Sequence, residues 1–148
     1  MARSETRRAA SGILTAVLAV LVSGCSPQAV VPRWDPVAFR DLSTLEFLTV
    51  GADEGPHWST VWLAVVDDQV YIRLGTRAAG RMQANTTTPF VDVRIGGREY
   101  RRVRAVEAPE MASRVATVMG AKYPSDLLIR HVPHPLTMRL EPDAASTS

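Results

Sequence analysis

The stretch His57–Asn85, HWSTVWLAVVDDQVYIRLGTRAAGRMQAN, decides how the rest of the chain is interpreted. Its residues 60–66 are apolar and β-branched, as in a mostly buried strand. Asp67-Asp68-Gln69 then has the length and composition of a hairpin turn. Residues 70–74 alternate apolar and polar side chains, which predicts a second strand with one face towards a core and the other towards a polar region.

Three arginines gather where this second strand passes into a short helix. Arg73, Arg77 and Arg81 fall within nine positions, with Gly75 and Thr76 between the first two. Backbone N–H groups, a hydroxyl and guanidinium forks are the groups that hold a phosphate. The alternative is that Arg77 and Arg81, four residues apart, form an ordinary solvated helix face.

The first 24 residues have the pattern of an export signal: a basic start, an apolar run at 13–22 and small residues after it. A run of about ten residues is too short to cross a bilayer as a helix. Val22-Ser23-Gly24-Cys25 resembles a bacterial lipobox, which implies cleavage before Cys25 and its lipidation. We therefore expect an exported protein, lipid-anchored to a membrane of the bacterial cell envelope. A plain secretory signal with a free thiol is the alternative, and twin-arginine export stays open because of Arg7-Arg8.

The chain of 148 residues has room for one domain, and 46% hydrophobic residues suffice for a core. We expect a signal peptide at 1–24, the lipidated cysteine and a proline-bearing tether at 25–35, a folded domain at 36–142 and a disordered tail at 143–148. The formal net charge is +2, and the signal peptide supplies all of it. A nucleic-acid partner attracted by bulk charge is therefore not expected.

The pattern of apolar residues predicts a mainly β fold with flanking helices. A short helix is expected from Asp35-Pro36, a helical turn or two at 81–85, and an amphipathic helix between Pro109 and Pro124. The expected strands are 45–50, 60–66, 70–74, 90–95, 99–107 and 136–140, with an exposed turn at 51–56, a Gly96-Gly97 turn and a bulge at Arg101-Arg102. Strands in hairpin-spaced pairs predict an antiparallel barrel with its helices outside.

The order of these elements resembles the FMN-binding split barrel, the superfamily of pyridoxamine 5'-phosphate oxidase and the deazaflavin-dependent nitroreductases. The resemblance is nearest to its small uncharacterised branch and covers roughly Phe39 to Pro142. It implies a six-stranded antiparallel split β-barrel. The segments that carry it are His57–Trp62, Val70–Arg73, Arg81–Asn85, Val91–Gly97 and the amphipathic helix at 111–123.

The resemblance also implies a flavin-type cofactor, FMN or a deazaflavin, and an oxidoreductase whose cofactor supplies the hydride chemistry. Members with confirmed flavin often carry a lysine near the phosphate, and this chain has arginines there, which suit a phosphate as well. No catalytic acid or base stands out. The residues carried over are Ser59 and Thr60 near the ring and Arg73, Thr76, Arg77 and Arg81 near the phosphate. The alternative is a non-catalytic lipoprotein of the same fold that binds a small ligand or a partner, with haem or no cofactor.

The three histidines do not predict a metal site. His131 and His134 are three residues apart, but the flanking prolines prevent a regular helix, and no cysteine can complete a ligand set. His57 is expected to be a loop residue before a strand, with a haem ligand as the alternative.

The three tryptophans, Trp34, Trp58 and Trp62, are expected to pack in the core or at the barrel edge rather than to form a stacking platform. A homodimer is also expected, because an open-edged barrel leaves apolar strand surface that a two-fold partner covers.

Overall fold

The computed structural model describes residues 32–123 and 134–143. The predicted signal peptide, Cys25, most of the tether, His131 and residues 144–148 lie outside the described residues. The strands are β1 (Thr44–Gly51), β2 (Gly55–Val66), β3 (Gln69–Leu74), β4 (Phe90–Ile95), β5 (Arg98–Glu107) and β6 (Leu136–Glu141). The helices are α1 (Thr76–Gln83) and α2 (Ala112–Lys122), with 3-10 turns at Val37–Phe39 and Pro109–Met111.

The described strands form a closed barrel in the order β1-β2-β3-β6-β5-β4, and every neighbouring pair is antiparallel. Closure comes from β4, which pairs back with β1 at Phe47 and Val93. The predicted mainly β, six-stranded antiparallel barrel is confirmed. The open edge expected from the sequence is absent from these strands, because both sides of each strand are paired.

Two predicted tight turns are confirmed, and both need left-handed backbone. Asp67 and Asp68 connect β2 to β3 with φ of 50° and 57°, and Gly96 and Gly97 connect β4 to β5 with φ of 58° and 77°. Two consecutive left-handed residues match the right-handed twist of the strands they join. Glycine adopts this conformation freely, whereas aspartate tolerates it at a small cost.

The bulge predicted at Arg101-Arg102 is present in β5. Both residues lie opposite the single residue Asp92 of β4, and Arg102 has a φ of 53°. The Asp92 carboxylate accepts the backbone N–H of Arg102 at 2.9 Å, so the extra residue keeps a hydrogen bond. The flanking register pairs are Val91 with Val103 and Val93 with Tyr100.

The β1–β2 hairpin is longer than the sequence suggests. The expected turn at 51–56 is reduced to residues 52–54, since Gly51 and Gly55 already pair. His57 is therefore a strand residue, paired with Thr49, and not a loop residue. The earlier start of β2 is not predictable from the sequence, because the polar residues there show no apolar alternation.

The helices also differ from the predicted bounds. The first is a single 3-10 turn, although Asp35 does accept the N–H groups of Val37 and Ala38 at 3.2 and 3.4 Å. Helix α1 begins at Thr76, five residues before the expected start, because Gly75 is extended and acts as its N-cap. Asn85 lies beyond the helix, where its buried side chain accepts the Val50 N–H and donates to the Phe90 carbonyl.

Alternating strand residues form two clusters. The inner cluster fills the barrel and includes Phe47, Leu63, Ile72 and Leu140, all no more than 1% exposed. The outer cluster lies between the barrel and α2 and consists of Ala64, Val66, Tyr71, Ala108, Val115 and Met119. Helix α2 thus packs on one outer side of the barrel, as the apolar face at 111–119 predicts.

One expected tether residue belongs to the packed structure. The Trp34 ring meets those of Phe39 and Tyr100 edge to face, with centroids 5.3 and 5.1 Å away. Trp34 is a packing residue, as predicted, and it fastens the chain to the barrel before β1.

Candidate functional site

A pocket of about 510 Å³ opens on the outer side of the barrel, where β2, β3, α1 and α2 meet. Its described walls combine two arginines with threonines and apolar side chains, and no carboxylate is among them. The described lining residues are Thr44, Thr60, Val61, Trp62, Arg73, Gly75, Thr76, Arg77, Ala78, Met119 and His134. The charge of the lining arginines favours an anionic ligand.

The alternation of β2 separates the two residues expected near a ring. Val61 and Leu63 pack in the inner cluster, whereas Trp62 and Ala64 pack in the outer one. Thr60 therefore lies on the outer face and lines the pocket. Ser59 lies on the inner face and is not among the lining residues, and its buried Oγ has no hydrogen-bond partner in the described part of the chain.

Arg73 lies on the outer face of β3, since its neighbours Ile72 and Leu74 are fully buried in the inner cluster. Its Nε is buried and has no hydrogen-bond partner among residues 32–123 and 134–143, yet the residue lines the pocket. A buried N–H without an acceptor is costly and uncommon. The Arg73 guanidinium is therefore a candidate group for holding an anionic ligand.

The start of α1 adds further anion-binding groups. Gly75 caps the helix without any side-chain hydrogen bond, so the first N–H groups of the helix keep their capacity to donate. Thr76 and Arg77 follow on the exposed surface and line the pocket. Within the described residues, no side-chain hydrogen bond or ion pair engages Arg77. The geometry brings together Arg73, Thr76 and Arg77 from the predicted phosphate set.

Arg81, the fourth residue of that set, is placed elsewhere. Its guanidinium donates to both carboxylate oxygens of Glu54 in the β1–β2 turn, at 2.8 to 3.3 Å. The hydrogen bond from Arg81 lowers the pKa of Glu54, and the same bond raises the pKa of Arg81. Arg81 is not a described lining residue of the pocket, and its charge is matched within the chain.

Trp62, a lining residue of the pocket, forms an aromatic pair with Tyr123, which follows α2. The rings of Trp62 and Tyr123 are stacked, with centroids 5.0 Å apart and planes inclined by 15°. The Tyr123 hydroxyl lies 3.0 Å from the Leu63 carbonyl and also reaches the Ser43 carbonyl, and it can donate to one at a time. Burial raises the pKa of Tyr123, which keeps this hydroxyl protonated and able to donate.

The sequence does not assign several of the lining residues to a cofactor site. Met119 is recognisable only as a core residue of an amphipathic helix, and Thr44 only as the residue before a strand. His134 reaches the pocket because β6 inserts between β3 and β5, a pairing that short-range patterns do not encode. The position of Trp62 on the outer face of β2 could have been found by counting alternate residues from the apolar positions.

Two features are absent from residues 32–123 and 134–143. No group of three or more histidine, cysteine, aspartate or glutamate side chains is placed to hold a metal ion. No helix in the same residues has the length and apolarity needed to cross a membrane.

Comparison with known proteins supports the fold. No protein-family model matches the chain, and no curated protein sequence matches it significantly. Among solved structures, it is similar to HutZ, the haem storage protein from Vibrio cholerae, with a TM-score of 0.54, 16% identity, and coverage of 72% of this chain and 87% of HutZ.

Two other solved structures have the same fold. Atu2129 from Agrobacterium tumefaciens, of unknown function, has a TM-score of 0.55 and 19% identity over 73% of this chain and 53% of its own. A chain described as a domain-swapped dimer has a TM-score of 0.52 and 15% identity over 68% of this chain and 81% of its own. At these identities the likeness shows the split-barrel fold alone.

Proposed function

We propose that the pocket binds FMN or a deazaflavin through its phosphate, and that the protein is an oxidoreductase of the bacterial cell envelope. The observation that carries the proposal is Arg73, which lines the pocket and whose buried Nε has no partner among the described residues. The pocket volume of about 510 Å³ is within the usual range for small-molecule sites.

Each end of such a ligand has suitable protein groups. A phosphate dianion accepts from Arg73, from the fork of Arg77, from the Thr76 hydroxyl and from the first N–H groups of α1. The apolar wall of Val61, Trp62 and Met119 suits a flat conjugated ring. When bound, the cofactor supplies the hydride chemistry. The chain itself anchors the phosphate, orients the ring against β2 and limits its contact with water.

The test compares FMN with riboflavin, which has the same ring and no phosphate. Arg77→Ala should weaken FMN binding by roughly tenfold or more, since it removes a charge-assisted hydrogen bond of about 1.5–3 kcal/mol. Riboflavin should bind both proteins about equally. Calorimetric titration of each ligand gives the two affinities.

Arg81→Ala is the matched control, because it removes an arginine one helical turn away that is paired with Glu54. It should leave both affinities near those of the unmodified chain. Equal losses for FMN and riboflavin at Arg77→Ala would indicate general destabilisation instead of phosphate binding. An unmodified chain that binds none of these ligands at micromolar concentrations contradicts the proposal.

The second candidate is a non-catalytic haem-binding or ligand-binding module of the same fold. It is favoured by Met119 and His134, which both line the pocket and belong to the residue types that ligate haem iron. The absorption spectrum distinguishes the candidates: haem loading gives a sharp Soret band, and a bound flavin gives a yellow protein.

The proposal includes the lipid anchor. The supporting observation is the apolar run at 13–22 followed by Val22-Ser23-Gly24-Cys25. A multiply acylated cysteine holds a membrane stably, because each buried methylene adds about 0.8 kcal/mol. Cys25→Ala should move the protein from the membrane fraction to the soluble fraction. A Cys25→Ala protein that stays in the membrane fraction after a high-salt wash contradicts the anchor.

A further inference from the structure

We infer that the Trp62 indole is a stacking platform for a planar aromatic ring in the pocket, with Tyr123 fixing it from behind. The inference rests on the proposed function, because it assigns a ring-binding residue to the same pocket. It also narrows the ligand class to a flat conjugated ring joined by a short arm to an anionic group.

Among the described residues, the ring stacked on the indole is that of Tyr123. Tyr123 stacks on it at 5.0 Å and 15°, and the Tyr123 hydroxyl is hydrogen-bonded to the backbone of β2 at Leu63. Offset-stacked aromatic pairs of this kind are favourable and hold both rings in orientation. Trp62 is only partly buried and lines the pocket, so a second ring can stack without displacing Tyr123.

The register places this indole beside the anion-binding groups. Leu63 of β2 pairs with Ile72 of β3, so Trp62 and Arg73 occupy the next position along the two strands. Both lie on the outer face, just beyond the last paired position of the two strands, and both line the pocket. Gly75, Thr76 and Arg77 come shortly after Arg73 in the chain. A ring stacked on Trp62 is therefore close enough for a short linker to join it to a phosphate held by these groups.

Trp58 provides a matched comparison within the same strand. It lies four residues earlier and, by alternation, on the same outer face of β2. Its ring is already covered by the Arg94 guanidinium, 3.8 Å from the ring centroid, and Trp58 is not among the described lining residues. A ring-binding role is therefore specific to Trp62.

The experiment titrates the full chain with FMN and records affinity together with flavin emission. Bound FMN should be strongly quenched, since an indole in contact with the ring quenches an excited flavin. Trp62→Leu should weaken binding about tenfold and restore emission from the bound flavin. Trp58→Leu should change neither quantity.

Trp62→Phe is the second variant, because it keeps an aromatic contact with Tyr123 and so protects the fold. Phenylalanine does not donate an electron to an excited flavin, so emission should rise in this variant even where affinity is kept. Full quenching in both Trp62 variants, with unchanged affinity in Trp62→Leu, overturns the platform and leaves the phosphate site standing. An unmodified chain that does not bind FMN overturns both.

Discussion

Two buried polar atoms, Ser59 Oγ and Arg73 Nε, have no hydrogen-bond partner in the part of the chain that the structure describes. Leaving such an atom unpaired costs about 1–3 kcal/mol. Arg73 lines the pocket, where the proposed anionic ligand would supply an acceptor for its guanidinium. Ser59 lies on the inner face of β2 opposite Phe47, away from the pocket lining. The unpaired atom of Arg73 therefore indicates a candidate binding group, whereas the unpaired hydroxyl of Ser59 lowers the stability of the fold and can be removed by substitution.

Ser59→Ala should stabilise the protein by about 1 kcal/mol, because it removes an unpaired buried hydroxyl and leaves an apolar methyl group. Urea denaturation of the two proteins measures the difference. Thr88→Val is the control of opposite sign, since the Thr88 hydroxyl donates to the Asn85 carbonyl at 2.8 Å and its loss should destabilise the protein. A Ser59→Ala protein less stable than the original contradicts the unpaired hydroxyl.

The sequence predicts the position of some of these side chains and not of others. The alternation of β3 places Arg73 on the face away from the barrel interior, but Tyr71 on the same face is buried in the outer cluster and not in a polar region. The arginine cluster includes Arg77, which lines the pocket, and its role there stays a prediction. The pairing of Arg81 with Glu54 was not predictable, because the two residues are 27 positions apart and meet only through the β1–β2 hairpin. Ser59 and Thr60 are neighbours in a strand, so alternation places them on opposite faces of the sheet. The family resemblance nevertheless assigns both of them to the cofactor ring.

At the scale of elements, the C-terminal end of α2 is fastened to the start of β1. The Lys122 ammonium donates to the Leu42 carbonyl, and the Tyr123 hydroxyl reaches the Ser43 and Leu63 carbonyls. These contacts hold Met119 and the Trp62–Tyr123 stack at the pocket wall. Burial lowers the pKa of Lys122, so the charged form of its side chain destabilises the folded protein. This destabilisation disappears as the pH rises towards 10.5, because the ammonium group of the folded protein loses its proton first.

Tyr123→Phe should cost about 1 kcal/mol of stability at neutral pH, the net worth of one hydrogen bond. The difference should shrink above about pH 10, because the unfolded tyrosine then ionises while the folded one, whose pKa is raised, stays neutral. Urea denaturation of both proteins across this range measures the difference, and the Lys122 contribution cancels in it. A difference that grows with pH contradicts the raised pKa.

The strength of the periodic signal decided which elements the sequence could predict. The apolar face of α2 and the alternation of β3 and β4 are strong, and those elements are where the sequence placed them. The starts of β2 and α1 were placed too late, because polar residues there are ordered by pairing with β1 and by the extended Gly75. Backbone pairing of this kind leaves no trace in side-chain hydrophobicity.

At the scale of the whole molecule, barrel closure changes how a homodimer can form. No described strand has a free edge, so a partner copy has to cover a sheet face. Leu48 of β1 and Trp58 of β2 are paired neighbours on the outer face and are only partly buried. Leu48 also lines a groove of about 320 Å³ with Val50 and Phe90. We propose this face as the two-fold interface.

Leu48→Glu should convert the proposed dimer to a monomer, because it places a charge in the centre of the proposed interface. Sedimentation velocity of the chain from Pro32 onward, at micromolar concentration, measures the state. Val37→Glu is the control, since Val37 is 54% exposed on the 3-10 turn before β1 and lies outside this face. A dimer that survives Leu48→Glu contradicts this interface, and an unmodified chain that is monomeric contradicts the dimer itself.

The insertion of β6 between β3 and β5 also determines the order in which the molecule can fold. β6 is synthesised after all the other described strands, yet it pairs with both β3 and β5. Until it emerges, the nascent chain carries two bare strand edges that can recruit other chains. Pairing at such long sequence separation is slow. The interval before β6 docks is therefore when these two edges are most open to pairing with other chains.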